Sequence, residues 1–177
     1  DNVQQALTSV YASLGQEWNE QWRTVAALRA DHYHYDVDAG LAANAGDGSD
    51  DLLSPKFSLI YAPSQSTEFF FSGGQGFHSN DARGTTITID PVSGDPADPV
   101  HPLAKARSFE LGMRTSAFTN MQVAASLFSM RLDSELLYVG DAGTTEALGE
   151  SKRRGIEIGA IYAPRPWLLV DADVTLT

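Results

Sequence analysis

The stretch FELGMR at residues 109–114 alternates apolar and polar side chains without interruption. On an extended chain, its Phe, Leu and Met side chains share one face, while its Glu, Gly and Arg side chains share the other. Helical periodicity is nearly absent from the sequence, so the dominant pattern predicts β-strands. The same period of two returns at 56–61, 156–162 and 168–176.

The alternating segments predict an all-β chain of about eight antiparallel strands in up-and-down order. We place these strands at 4–14, 22–38, 54–62, 67–77, 106–115, 120–132, 151–162 and 167–177.

The connections between these segments alternate between short and long. Three long loops, at 39–53, 78–105 and 133–150, would lie at one end of an up-and-down sheet, and four short turns would lie at the other. Soluble meanders have no reason to separate their loops in this way. Short turns at one end and long loops at the other are typical of bacterial outer-membrane barrels.

Composition excludes several classes of protein. The 177 residues suffice for one domain, and 23 Asp plus Glu against 12 Lys plus Arg argue against a nucleic-acid partner. The chain has no cysteine, which excludes disulfides, iron–sulfur clusters and cysteine zinc sites. No apolar run is long enough for a membrane-spanning helix. Alternating strands of a membrane barrel remain compatible with the mean hydropathy of −0.21.

Aromatic residues concentrate near the expected strand ends. All three tryptophans flank short turns, and further aromatic residues lie near the long loops, which predicts two aromatic girdles at two water boundaries. The alternative is a soluble sandwich whose aromatic residues cap its core. The residues near the long loops are Tyr33, Tyr35, Phe77 and Tyr138.

Charged residues within the strands are expected on the face opposite the large apolar side chains. This arrangement predicts a polar lumen, since unpaired charges would be costly in a dry core. The residues concerned are Arg29, Asp31, Glu110, Arg114, Glu157, Asp171 and Asp173.

Five linked motifs resemble TonB-dependent outer-membrane receptors. SPKFSLIYAP at 54–63 is similar to the "SPK-strand-YxP" hairpin of that family, and ARSFELGMR at 106–114 resembles its "ARSYELGLR" strand. SKRRGIE at 151–157 is similar to its "SRRxGxE" strand start. Residues 74–84 and 132–146 resemble the intervening strand exit and loop, in the expected order.

The resemblance implies a 22-stranded barrel around an N-terminal plug, with residues 1–177 as a segment of the barrel. The plug domain and the TonB box would be absent from this chain. The implied function is active uptake of a scarce ligand, such as a ferric siderophore or cobalamin, across a Gram-negative outer membrane. Implied partners are the plug, the TonB complex, the small-molecule ligand and lipopolysaccharide. We find no enzyme constellation and expect no cofactor.

A dense polar segment follows the strand at 67–77. His78 and Arg83 could meet an anionic chelate, and Asn80, Asp81 and the more distant Asp141 complete the predicted set of ligand-binding residues in extracellular loops. The alternative is a loop whose polar side chains form turns with their own backbone.

Other polar groups have competing interpretations. His32 and His34 share a strand face and could hold a metal in a soluble cupin-like protein, although an interfacial role is favoured. The acidic segment 47–51 is expected to be a solvated loop, since it lacks the spacing of a calcium loop. Residues 152–154 could meet lipopolysaccharide phosphates or the carboxylate of Glu150. A complete eight-stranded barrel with a structural or adhesive role is a further alternative.

Overall fold

The computed structural model describes residues 2–139 and 144–177, which form β-strands and two very short helical segments. The strands are β1 (Asn2–Glu17), β2 (Trp22–Asp38), β3 (Gly46–Ser64), β4 (Thr67–Ser79), β5 (Leu103–Phe118), β6 (Met121–Leu132), β7 (Glu135–Val139), β8 (Thr144–Leu148), β9 (Ser151–Arg165) and β10 (Leu168–Leu176). The helical segments are a 3₁₀ turn at Ala42–Asn44 and helix α1 at Ala82–Thr86. No helix among the described residues is long and apolar enough to cross a membrane.

Eight long strands form one antiparallel sheet in the order β1-β2-β3-β4-β5-β6-β9-β10. Each strand pairs with its predecessor through a hairpin, except that the separate β7–β8 hairpin interrupts the connection between β6 and β9. The predicted all-β, up-and-down architecture is confirmed. The sheet is open in the described part of the chain, with β1 and β10 as its edges.

The acidic segment 47–51 corrects one prediction. It is not a loop but part of β3, where it pairs with residues 32–36 of β2. Gly and Asp disfavour strands when considered alone. Because β2 continues to Asp38, its backbone offers hydrogen-bond partners that extend the ladder and reduce the first long connection to residues 39–45.

The ladder registers divide the side chains of the sheet into two sets. We call the set containing Leu111 the apolar face and the set containing Arg114 the polar face. Residues directly opposite one another in neighbouring strands share a face. The apolar face includes Val10, Leu14, Leu28, Leu53, Phe57, Phe69, Phe71, Phe109, Leu111, Leu127, Ile156, Ile158, Val174 and Leu176.

Exposure is inverted relative to a soluble protein. The apolar face carries large side chains that are about half exposed, such as Phe109 at 57% and Leu111 at 56%. Buried residues such as Asp31 and Ser58 lie on the polar face. The predicted sorting is confirmed for the seven strand charges named from the sequence, since Arg29, Glu110 and Asp173 also lie on the polar face, as do the other four. A continuous exposed apolar surface of this kind is suited to hydrocarbon.

The exposed apolar side chains form a band that runs obliquely across the sheet. The register aligns Phe57 of β3, in the middle of the band, with Arg154 of β9, which already lies beyond it. From β3 to β9, the first and last exposed apolar residues are displaced along the strands by about four to six residues, relative to the positions that lie directly opposite in the ladders. With about 3.4 Å per residue and about 4.8 Å between strands, the strands incline by about 35–45° to the band normal. Closure of a barrel requires strand tilt of this size.

The aromatic residues at the two ends of the sheet behave differently. At the short-turn end, Trp22 stacks on Tyr61 with ring centroids 4.5 Å apart, on the apolar face, as a girdle requires. At the long-loop end, the predicted second girdle is wrong for Tyr33, Tyr35 and Phe77. Tyr33 is instead buried with Leu52 and Leu103, and the partly buried Tyr35 and Phe77 pack against this cluster. The period of two places Tyr33 and Tyr35 on the polar face. The side chain of Tyr138 lies outside the described set.

Candidate functional site

The polar face carries an ion network near the short turns. Glu68 of β4 accepts from Arg23 of β2 at 2.6 Å and from Arg114 of β5 at 2.9 Å. The Arg114 guanidinium also lies over the Phe70 ring, 5.4 Å from its centroid. With Asp171 and Asp173 of β10, these ionic residues line an open groove of about 630 Å³. The groove therefore offers charges of both signs to polar groups packed against this face.

A second polar network fixes a cation in the middle of the same face. The Asp31 side chain is completely buried, and its carboxylate accepts from the Ser9 hydroxyl at 2.6 Å. The Arg29 Nε donates to both carboxylate oxygens of Asp31, at 2.8 and 3.0 Å. Burial of a carboxylate is tolerable only with such charge-assisted partners. The exposed part of the Arg29 guanidinium is consequently held in one orientation.

Beside this network lies a groove of about 770 Å³. Its lining includes Tyr11 of β1, Arg29 of β2, Lys56 of β3 and His78 of β4. Two permanent cations, one imidazole and one phenol in a partly apolar groove favour an anionic ligand with aromatic or hydrocarbon parts.

Asn44 joins two of the long loops. Its side-chain amide donates to the Ile89 carbonyl at 2.7 Å, and its carbonyl oxygen accepts from the backbone N–H groups of Thr88 and Ile89, both at 3.0 Å. The Thr88 hydroxyl adds a bond to the Ala43 carbonyl at 2.8 Å. The loop after β2 and the loop after β4 therefore form one hydrogen-bonded unit.

The predicted ligand-binding residue Asn80 is buried and its amide is occupied. Its Nδ2 donates to the His101 carbonyl at 2.7 Å, and its Oδ1 lies 3.1 Å from the His78 Nε2. Its backbone N–H donates to the Pro102 carbonyl at 2.9 Å. Asn80 thus holds the two ends of the loop between β4 and β5 together.

Asp81 and Arg83 form an exposed pair at the start of α1. The Asp81 carboxylate accepts from the Arg83 backbone N–H at 3.0 Å and from the Arg83 guanidinium at 2.8 Å. The hydrogen bond from the Arg83 side chain holds the pKa of Asp81 below its usual value. Asp81 caps the helix, while the Arg83 side chain remains 58% exposed.

Two predicted ligand-binding residues remain, His78 and Asp141. His78 is half-buried and lies in the groove with Arg29 and Lys56. Asp141 lies outside the described residues. The structure therefore brings His78 and Asn80 together through a hydrogen bond and keeps Asp81 and Arg83 beside them at the start of α1.

The histidines considered for a metal lie on the apolar face, away from the groove. The His32 Nδ1 is 2.8 Å from the Asp51 carboxylate, directly across the ladder. His34 faces Ser49 and Ala6 in the same ladders. Within residues 2–139 and 144–177, no group of three or more His, Cys, Asp or Glu side chains could hold a metal ion.

Sequence reasoning missed Asn44 and Lys56 as site residues. The alternation of side chains along β3 could have placed Lys56 on the polar face. Because β3 lies next to β2, Lys56 is then close to Arg29. Nothing in the local sequence distinguishes Asn44, whose partners lie 44 and 45 residues away.

Comparisons with known proteins agree with this architecture. The profile of the family described as "TonB dependent receptor-like, beta-barrel" matches residues 1–177. No curated protein sequence matches the chain significantly.

Several solved structures are similar. "Copper transporter OprC" superposes with a TM-score of 0.76 at 18% identity, covering 98% of this chain and 28% of that one. The ferric yersiniabactin uptake receptor FyuA from Yersinia pestis gives 0.72 at 17%, with 98% and 27% covered. The FrpB iron transporter from Neisseria meningitidis (F3-3 variant) gives 0.69 at 20%, with 99% and 26% covered. The chain thus spans about a quarter of the length of each of these structures. The superpositions show that the fold is shared.

Proposed function

The chain belongs to the TonB-dependent receptor-like β-barrel family, and from this membership we propose that it is a barrel segment of an outer-membrane receptor that takes up a scarce ligand. The ligand would be a ferric siderophore, cobalamin or a similar chelate, imported with energy from the TonB complex. The observation that carries the proposal is the groove of Arg29, Lys56 and His78 on the polar face, below the joined long loops.

In this proposal the apolar face contacts lipid and the polar face lines the lumen. The long loops face the outside, and the short turns with their aromatic girdle face the periplasm. A ligand would first meet the exposed Arg83 and the loop unit joined by Asn44, and would then enter the groove. His78, Asn80, Asp81, Arg83 and Asp141 remain our predicted ligand-binding residues, with Arg29 and Lys56 added from the structure.

The ion network at the short-turn end has a different role in this proposal. Arg23, Glu68 and Arg114 lie below the ligand groove, together with Asp171 and Asp173. A plug domain inside the complete barrel would bury this surface and pair its own polar groups with these charges. The network would thereby hold the plug while ligand binds above it.

The soluble metalloprotein alternative is not favoured, because His32 is paired with Asp51 on the exposed apolar face. The complete eight-stranded barrel is not favoured either, because β1 and β10 lie at opposite edges of an open sheet.

The test uses a strain that lacks the receptor and is complemented with the full-length gene. Its uptake is measured with a panel of probes: a ferric catecholate, a ferric hydroxamate, cyanocobalamin and cupric ion. For the probe that the wild type imports, the double variant Arg29→Gln/Lys56→Gln is expected to lower uptake at least about tenfold, since both substitutions remove charge-assisted contacts.

The matched control is Lys152→Gln, which removes one cation from the apolar face and is expected to leave uptake unchanged. Uptake of every probe at background level in the wild type would contradict the proposal, as would full uptake by the double variant. An immunoblot must first place each variant in the outer-membrane fraction.

A further inference from the structure

A second charged surface lies on the opposite side of the sheet, where the apolar band ends. Arg107 of β5, Arg131 of β6 and Lys152 of β9 are directly opposite one another in two successive ladders, and Arg154 follows on β9. All four side chains are exposed on the apolar face. We call these four residues the basic patch.

The register of the basic patch is unfavourable in the absence of a counter-ion. Like charges directly opposite across a ladder repel each other, and here three cations stand in one row. Among the described residues one acid contacts them: Glu150 pairs with Arg131 and with the Lys152 Nζ, the latter at 3.0 Å. Within the part of the chain that the structure describes, the Arg107 side chain donates to the neutral Gln75 side chain, at 3.2 Å. Asp133, which follows β6, forms no ion pair with the patch in the described structure. The patch therefore keeps a net positive charge.

The Glu150 carboxylate is affected by the positive charge of this surface. The hydrogen bond from Lys152, together with the positive charge of Arg131, holds the pKa of Glu150 below its usual value. The patch thus stabilises a negative charge placed beside it, and a single carboxylate does not saturate four cations.

The position of the patch relative to the apolar band defines its partner. Below Arg107 on the same face come Phe109 and Leu111, below Arg131 come Ser129 and Leu127, and below Arg154 comes Ile156. Each cation therefore lies one or two face positions above the last apolar side chain, about 7–14 Å along the strand. In a bilayer this is the level of the lipid headgroups.

We propose that the basic patch binds the phosphate groups of lipopolysaccharide in the outer leaflet. The acyl chains of the lipid would then lie on the apolar side chains below the patch. Arg107, Arg131 and Arg154 offer planar forks to phosphate oxygens, and Lys152 offers a point charge. The inference rests on the proposed membrane orientation, because it needs the long-loop end to face the leaflet that contains this lipid.

The test uses the full-length receptor in detergent micelles, and binding is measured by calorimetry with two probes. These are diphosphoryl lipid A and the same lipid with both phosphates removed. The wild type is expected to bind the phosphorylated lipid at least about tenfold more tightly. The quadruple variant Arg107→Gln/Arg131→Gln/Lys152→Gln/Arg154→Gln is expected to lose that preference.

Arg153→Gln is the matched control, since it removes an equal charge from the neighbouring position on the polar face and is expected to keep the preference. Arg154→Gln alone is expected to weaken binding about threefold, and it tests the proposal if the quadruple variant fails to assemble. Equal affinity for the two lipids, an unchanged quadruple variant, or loss in Arg153→Gln would overturn the proposal. Displacement by inorganic phosphate at the concentration of lipid phosphate would also overturn it, because the patch would then bind the free anion.

The test of lipid binding can be distinguished from the test of the proposed uptake function. A quadruple variant that loses lipid preference and keeps uptake supports the lipid site on its own. A receptor that binds lipid A through the patch but imports no probe supports the lipid site and contradicts the proposed uptake.

Discussion

The two faces of the eight-stranded sheet are built from the same strands but are stabilised differently. The apolar face consists of large side chains that remain about half exposed, and few of them are buried by the chain itself. On the polar face, Asp31 and Glu68 are held by hydrogen bonds and ion pairs with residues on other strands. The apolar face therefore depends on its surroundings, whereas the polar face depends on specific partners.

The largest expected effect is a charge placed in the apolar band. Leu111→Arg should destabilise the membrane-inserted state by about 2–4 kcal/mol, because the guanidinium loses water in hydrocarbon. Urea titration of the receptor folded into lipid vesicles measures this change. Ser108→Arg adds the same side chain on the polar face of β5, and its effect should be much smaller. Equal destabilisation by both substitutions would break the distinction between the two faces.

The joined long loops should be sensitive to lost hydrogen bonds. Asn44→Ala removes one donor and one acceptor that hold Thr88 and Ile89, at a local cost of about 1–3 kcal/mol. Amide hydrogen exchange should accelerate at these two residues. Asn19→Ala is the control, since Asn19 caps the turn at the opposite end through Gln21 and Trp22. Unchanged exchange at 88–89 in Asn44→Ala would contradict the joined-loop interpretation.

The polar face should also respond to added volume where it is closely packed. A Cβ atom at Gly112 would contact the Phe70 ring and the Ala125 carbonyl, so Gly112→Val should cost about 1–3 kcal/mol. Gly15→Val is the matched control on the same face, because no atom lies within 4 Å of its added Cβ. The same urea titration should find the control close to wild type.

The smallest expected effect concerns pH. Because Arg83 lowers the pKa of Asp81 in the folded state, their interaction stabilises α1 above the unfolded pKa of Asp81. This stabilisation is lost as the pH falls through the lowered folded value. Hydrogen exchange in residues 82–86 should therefore rise on acidification, and Asp81→Asn should remove the pH dependence. The effect is small, since both side chains are about half exposed.

Sequence pattern predicted the sheet well because side-chain alternation is a local property. The strands at 22–38 and 120–132 match the observed bounds within a residue, and the seven strand charges named from the sequence lie on the predicted face. The prediction that Tyr33 and Tyr35 belong to a girdle was wrong. It relied on their position near a strand end and ignored the side-chain alternation that places both on the polar face. The segment 47–51 was misjudged because pairing with β2 overrides its weak strand propensity.

The candidate site was predictable only in part. A dense run of polar residues identifies 78–84, and the structure places these residues at the exit of β4 and the start of α1. The contribution of Asn44 depends on contacts between residues distant in sequence, which no local pattern encodes. The basic patch was visible as residues 152–154, but only the registers separate Arg153 from its neighbours and add Arg107 and Arg131.

The open edges of the sheet bear on how this chain behaves when produced on its own. Among the described strands, β1 pairs only with β2, so half of its backbone N–H and C=O groups face away from the sheet over Asn2–Glu17. In hydrocarbon each unpaired group costs several kcal/mol, and in water a long exposed edge recruits other strands into aggregates. Expressed alone, the chain should therefore collect in inclusion bodies. It should become tractable only when further strands cover both edges.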